Sequence, residues 1–187
     1  MHKYRTDISV KFIRDTLDYN PETGVLSWKE RKDRKVNWNH RWTGKTAGHV
    51  HEVTGHIIIQ IKGRSAYGAH RLAWVHYYGE WPKDQIDHID GNRQNNRISN
   101  LRCATNSENN RNRGPQSNNL SGYKGVSWHE GTKKWYARIN ADGVVHRLGL
   151  YATPEEASKA YTKAARQLHQ EFARTENFAK RYDRSPK

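Results

Sequence analysis

The chain has 187 residues, of which 34% are hydrophobic, and a mean hydropathy of −1.13. One large core is excluded, and the length suits one medium domain or two small ones. Seven Trp and ten Tyr argue against simple disorder, and a net charge of +14 points to a polyanionic partner, with nucleic acid first. A basic membrane-surface protein is disfavoured, because there is no long apolar run and no amphipathic helix with bulky apolar and Lys/Arg faces.

Cys103 is the single cysteine, so no internal disulfide can form and no Cys-x-x-Cys zinc pair exists. It reads as a small buried residue. The start, Met1-His2-Lys3-Tyr4-Arg5, lacks an apolar signal region, so the expected location is the cytoplasm, associated with DNA.

Ile8, Phe12, Ile13 and Leu17 have helical spacing over 8–19. Asn20-Pro21-Glu22-Thr23-Gly24 is a turn, and Val25–Trp28 follows as a strand. Residues 29–43 are polar and basic, with Trp38 and Trp42 among them and no assigned element. Gly55–Ile61 reads as a strand, Lys62-Gly63-Arg64 as a turn, and 69–79 as a short helix stopped by Gly79. His70 and Arg71 on that helix could reach DNA or the active site, although such a helix-surface pair is usually only solvated.

Gln85–Asp90 is a short strand ended by Gly91-Asn92. A polar loop leads to a second strand, Asn100–Ala104. Thr105-Asn106-Ser107-Glu108 has the capping-box pattern, in which hydroxyl and carboxylate satisfy free amides at a helix start, so a helix is expected over about 106–112. Residues 113–120 have linker composition. Strands follow at 123–128, 134–139 and 145–151. A second capping box, Thr153-Pro154-Glu155-Glu156, opens a helix whose stripe is Ala157, Ala160, Tyr161, Ala164 and Leu168. Trp128, Trp135 and Tyr161 read as core.

Phosphodiester hydrolysis needs a base for water, a cation for the charge on phosphate and a scaffold for both. His88 titrates near neutrality and suits the base. Asp87 is a hard oxygen ligand for Mg²⁺, Asn109 offers a second oxygen, and Asn100 can bond across to hold the loop and the imidazole. Adjacent strand residues point to opposite faces. How Asp87 and His88 address one phosphate is therefore left open.

The string Ile86-Asp87-His88-Ile89-Asp90-Gly91-Asn92, Asn95-Asn96, Ser99-Asn100-Leu101-Arg102, Thr105 and Glu108-Asn109 resembles the HNH endonucleases, in particular the phage and intron homing branch. That resemblance implies an α+β chain with a ββα-metal nuclease domain, its core at about 84–112 within residues 1–112. It implies His88 as general base, Asp87 as metal ligand, Asn100 as the central Asn, and Asn109 at a position usually held by His. With Asn there, Mg²⁺ or Mn²⁺ is expected rather than zinc. Asn20–Gly24, His70–Trp74 and Gly79–Pro82 also look like the N-terminal part of phage HNH proteins.

Residues 121–178 resemble the AP-two (ethylene-response-factor) DNA-binding domain, through Tyr123–Val126, Lys134–Ile139, Arg147–Gly149 and Glu155–Ala165. That implies a three-stranded antiparallel sheet laid in the major groove, with a helix behind it. By position Lys124, Ser127, His129, Arg138, Asn140 and Arg147 would face DNA. Ser127, His129 and Asn140 stand where the plant family has arginines, so its sequence preference does not transfer. Residues 120–187 carry 13 Lys/Arg against 7 Asp/Glu, a net +6, and 179–187 form a basic tail.

The expected function is a metal-dependent endonuclease acting on double-stranded DNA, as a monomer or weak dimer, without a small-molecule cofactor. The alternatives are a non-catalytic DNA-binding regulator that uses the C-terminal domain, and an RNA-binding accessory protein.

Overall fold

The computed structural model describes residues 5–61, 65–115 and 118–173. The expected turn at 62–64, residues 116–117 of the linker, the domain end at 174–178 and the tail at 179–187 lie outside the described residues. Two compact units emerge, 1–106 and 107–187. The division falls at the first residue of the helix at 106–112, whereas composition suggests one after that helix.

In the first unit, the Ser9 hydroxyl accepts from the Phe12 amide and starts α1 (Val10–Thr16). The expected helix to residue 19 stops at Leu17, where the backbone turns extended. Leu17–Tyr19 instead forms β1, paired antiparallel with β2 (Leu26–Trp28). Leu17 is buried in either state, so apolar spacing could not separate the two. A seven-residue helix, α2 (Val36–Trp42), lies in the basic segment, where no helical apolar stripe announces it.

β3 (His49–Val50), β4 (Ile57–Ile61) and β5 (Ser65–Gly68) make a three-stranded antiparallel sheet with β4 central. α3 (Ala69–Tyr78) follows and ends where expected, at Gly79 in the left-handed conformation (φ +78°). Ile13, Leu17, Ile59, Ile61, Leu72 and Val75 are fully buried and bind helices and sheet into one core. Against it lies an antiparallel hairpin, β6 (Gln85–His88) and β7 (Leu101–Ala104), with Asp87 opposite Arg102 and His88 opposite Leu101. The first strand stops at His88, because the Gly91 amide turns back to the His88 carbonyl. Asn100 closes a 3₁₀ turn, Ile98–Asn100, just before the second strand. Cys103 is exposed rather than buried, since it projects from the outer face of β7.

The second unit opens with α4 (Asn106–Asn112), at the expected place. β8 (Val126–His129), β9 (Lys134–Ala141) and β10 (Val144–Tyr151) form an antiparallel sheet with β9 central. α5 (Pro154–His169) has the full capping box: the Thr153 hydroxyl accepts from the Glu156 amide, and the Glu156 carboxylate accepts from the Thr153 amide. Its buried face is Ala157, Ser158, Tyr161, Ala164, Ala165 and His169, and small alanines let it lie close on Ala137 and Ile139. Leu168, expected on that stripe, is exposed, and Ala160 is half-buried, because the buried arc runs on to Ala165 and His169. Trp128, expected in the core, is also exposed. Its indole N–H donates to Glu130 at the surface. Within this unit Arg111 of α4 pairs with Asp142 in the β9–β10 turn, and the Lys124 ammonium donates to the Arg111 carbonyl.

Ile59 and Leu72 sit at the centre of the first core, so truncation leaves a cavity there. Leu72→Ala should lower unfolding free energy by about 2–5 kcal/mol, read by urea denaturation followed through Trp fluorescence.

Candidate active site

β6 offers two neighbouring side chains to opposite sides of a narrow ribbon, and both are buried: Asp87 is 5% and His88 4% exposed. Across the ladder, Arg102 donates to Asp87 Oδ2 from Nε at 2.9 Å and Nη2 at 2.8 Å. This pairing follows directly from the register that sets the two residues opposite each other. A guanidinium with two bonds to one buried carboxylate oxygen offsets the cost of burying that group.

On the other side, His88 Nε2 lies 3.1 Å from Asn96 Oδ1. An amide oxygen only accepts, so in the neutral ring Nε2 carries the proton and Nδ1 carries the lone pair. Asn96 is itself buried, and its carbonyl accepts from the Tyr19 hydroxyl at 2.8 Å. β1 and the loop thus fix the side chain that fixes the imidazole.

The loop folds around Asp90. Its carboxylate accepts from the Asn92 amide (2.8 Å), the Asn100 side chain (2.9 Å) and the Asn95 side chain (2.7 Å). Asn100 Oδ1 accepts from the Asp90 amide at 3.0 Å, and Asn100 Nδ2 also donates to the Asn95 carbonyl at 2.8 Å. Burial alone would raise the Asp90 carboxyl, but these bonds outweigh it and hold it below the usual range. Asn100 therefore ties the loop to the hairpin, and its link to His88 runs through the loop rather than directly to the ring.

Two further imidazoles close over His88. Ring centroids are 5.3 Å apart for His70–His88, 5.7 Å for His56–His88 and 4.9 Å for His56–His70. The solvated reading of His70 and Arg71 does not hold. His70 packs in this cluster, while Arg71 is buried, donates to the Asp84 carbonyl and lies over Trp81. Burial is the main reason that all three histidines titrate low: His56 is brought down to about 4, His70 well below its ordinary value, and His88 below it despite the Asn96 bond and the charges of Asp90 and Asp87.

Asn109, expected as second metal ligand, lies on α4 in the second unit. Of the residues expected to face DNA, Ser127, His129, Arg138, Asn140 and Arg147 are exposed on the three-stranded sheet. Lys124 is half-buried and engaged with α4. Among the described residues no group of three or more His, Cys, Asp or Glu is placed to hold a metal ion. No helix of the described residues is long and apolar enough to cross a membrane.

Residues 67–111 match the family model described as HNH endonuclease. The chain is 37% identical over 106 residues to Protein 3.8 of Escherichia phage T7, covering 56% of this chain and 87% of that protein. It is 35% identical over 96 residues to an uncharacterized HNH endonuclease of Acanthamoeba polyphaga mimivirus, covering 51% of this chain and 49% of that one. An ethylene-responsive transcription factor of Arabidopsis thaliana is 30% identical over 162 residues, spanning 79% of this chain and 37% of the plant protein. A solved structure of DNA binding and cleavage by the HNH homing endonuclease I-HmuI aligns over 87% of this chain and 90% of that one, with a TM-score of 0.41 and 21% identity.

Two outcomes follow from this geometry. Gly24 has φ +76°, and a Cβ there would meet the backbone of Asn96 and Arg97 at 2.4–2.5 Å. Gly24→Ala should displace Asn96 from His88 and destabilise the first unit by about 1–3 kcal/mol, seen as a lower thermal midpoint together with lost activity. The histidine cluster makes the fold acid-sensitive. Unfolded histidines bind protons near pH 6.5, whereas the folded ones do so lower, so stability is full above pH 6.5 and falls as pH drops toward 4. Thermal melts between pH 7.5 and 4.5 should show this decline, and it should be shallower in His56→Gln.

Proposed function

Because the chain belongs to the HNH endonuclease family, we propose that it hydrolyses phosphodiester bonds of double-stranded DNA, with His88 as general base and Asp87 and Asn109 as the cation ligands. The observation that carries the reading is the Asn96 Oδ1 contact with His88 Nε2, which in the neutral ring puts the proton on Nε2 and the lone pair on Nδ1. His88 removes a proton from water through Nδ1. The water oxygen forms a bond to phosphorus as the bond to the 3′ oxygen breaks, giving 5′-phosphate and 3′-hydroxyl ends. Burial keeps the imidazole neutral at pH 7, so the base is ready without prior deprotonation.

Asp87 and Asn109 are hard oxygen donors, which fit Mg²⁺ or Mn²⁺ better than a softer ion. When bound, such a cation neutralises charge on the phosphate and on the leaving oxygen. Arg102 fixes the orientation of the Asp87 carboxylate through its two bonds to Oδ2. Asn100 and Asp90 are positioning residues, since they shape the loop that presents Asn96.

The second unit is read as the DNA-recognition module. Its sheet faces α5 with Ala137, Ile139 and Ala141 and turns Arg138 and Asn140 outward. Arg138 and Arg147 are cross-strand partners, so two cations stand opposite each other on the open face. Like charges so placed repel, and a phosphate or base edge between them relieves the repulsion. Ser127, His129 and Asn140 widen the same surface. The similarity to a plant transcription factor supports this reading.

Incubation with supercoiled plasmid and Mg²⁺ tests the proposal. Nicked or linear product should form, and His88→Ala should slow it by about 10²–10⁴-fold, with a wild-type rate that falls on the acid side below pH 6.5. Undiminished cutting by His88→Ala would remove His88 from the base role. Absence of any product would return the chain to a DNA-binding regulator.

A further inference from the structure

The first unit carries a second basic surface, remote in sequence from the motif residues. Residues 29–45 hold seven Lys/Arg against two Asp/Glu. Among the described residues, Lys29 pairs with Asp18 and Arg31 with Asp33, while Lys32, Arg34, Lys35, Arg41 and Lys45 make no ion pair. All five are exposed.

α2 sits in the middle of this segment and buries none of its residues. Seven residues are too few for a helix to persist alone, and its first residue follows Lys35, which provides no side-chain cap. Specific contacts hold it instead. Asn39 accepts from the Arg31 amide and donates to the Arg31 carbonyl, at 3.0 and 2.9 Å. The Trp38 ring meets Trp28 edge-on at 5.6 Å, with the Arg31 and Arg34 guanidinium groups each 5.6 Å from its centroid. Arg31 is buried and also lies over Phe12, which joins the segment to α1. The fold thus spends its packing here on presenting cations.

Trp28, Arg34, Trp38, Trp42, His49 and Gln60 line a groove of about 320 Å³ beneath them. β4 forms part of its floor through Gln60 and leads back to His56, which packs on His88. Four strand residues span about 13 Å, or about four base pairs of duplex rise.

We propose that α2 and its groove bind the phosphate backbone of the substrate duplex about four base pairs from the scissile bond, through Arg34, Arg41 and Lys45. This rests on DNA being the substrate. Arg34 and Arg41 are pre-oriented by Trp38 and Trp42, at 5.6 and 5.3 Å, so little side-chain freedom is lost on binding. No base-edge reading is needed from this surface. It supplies sequence-independent grip on the unit that holds the base, separate from the readers on β8–β10.

The test is the full-length triple variant R34A/R41A/K45A, with DNA binding measured in EDTA across a salt series on a duplex with a mapped cut. Affinity near 0.15 M salt should fall roughly 10–100-fold, and the slope of log K against log salt should flatten by between about two and three, near 0.9 per lost contact. Ethylation interference should vanish about four base pairs from the cut, while turnover at saturating DNA and the thermal midpoint stay within error of wild type. An unchanged salt slope, a loss of turnover at saturation, or a larger loss on duplex RNA than on DNA would each overturn it. The affinity and salt-slope readouts are binding measurements made in EDTA, so they stand apart from whether His88→Ala abolishes cutting.

Discussion

The hydrogen bond from His88 to Asn96 is the contact on which the site's geometry rests. The ring is nearly sealed from water, so its protonation state and tautomer are set by neighbours rather than by solvent. One neighbour is an acceptor that cannot donate, and that alone decides which nitrogen keeps a lone pair. Everything around the bond keeps Asn96 in place: Tyr19 from β1, the tight approach of Gly24, and a loop wound on the Asp90 carboxylate. Residues more than seventy positions apart thereby act on one imidazole.

Elements governed by local rules were legible in the sequence. The helix at 106–112, the Gly79 stop and the Thr153–Glu156 cap depend on neighbours within four residues, and the structure has all three helices where the sequence places them. β1 was not legible, because a buried Leu at residue 17 serves a helix and a strand equally well and only pairing with Trp28 decides. α2 was not legible either. Its stability comes from Arg31, Trp28 and Asn39 contacts, and it carries no apolar stripe to read.

The motif named Asp87, His88, Asn100 and Asn109, but the supporting shell was only partly visible. Asn96 and Arg102 belong to the same motif, but local sequence assigns neither a role. Cross-strand register, which no local pattern reports, turns Arg102 into the partner of Asp87. His56 and His70 come from β4's approach and from α3, and their convergence on His88 is a property of the core, not of spacing. The alternation of adjacent strand residues, which left Asp87 and His88 in apparent conflict, turns out to divide labour. One face carries the carboxylate and its arginine, and the other carries the imidazole and its amide.

The helix bearing Asn109 packs with the second unit, through Arg111 to Asp142 and Lys124 to the Arg111 carbonyl. That changes what counts as an exchangeable part. A chimera spliced at 113–120, where composition invites the cut, would hand α4 to a foreign sheet lacking its docking acid. The portable cassette begins at about residue 107 instead, so the second unit can be traded only together with the motif's last residue. Any donor sheet must also bring an acidic turn to receive Arg111.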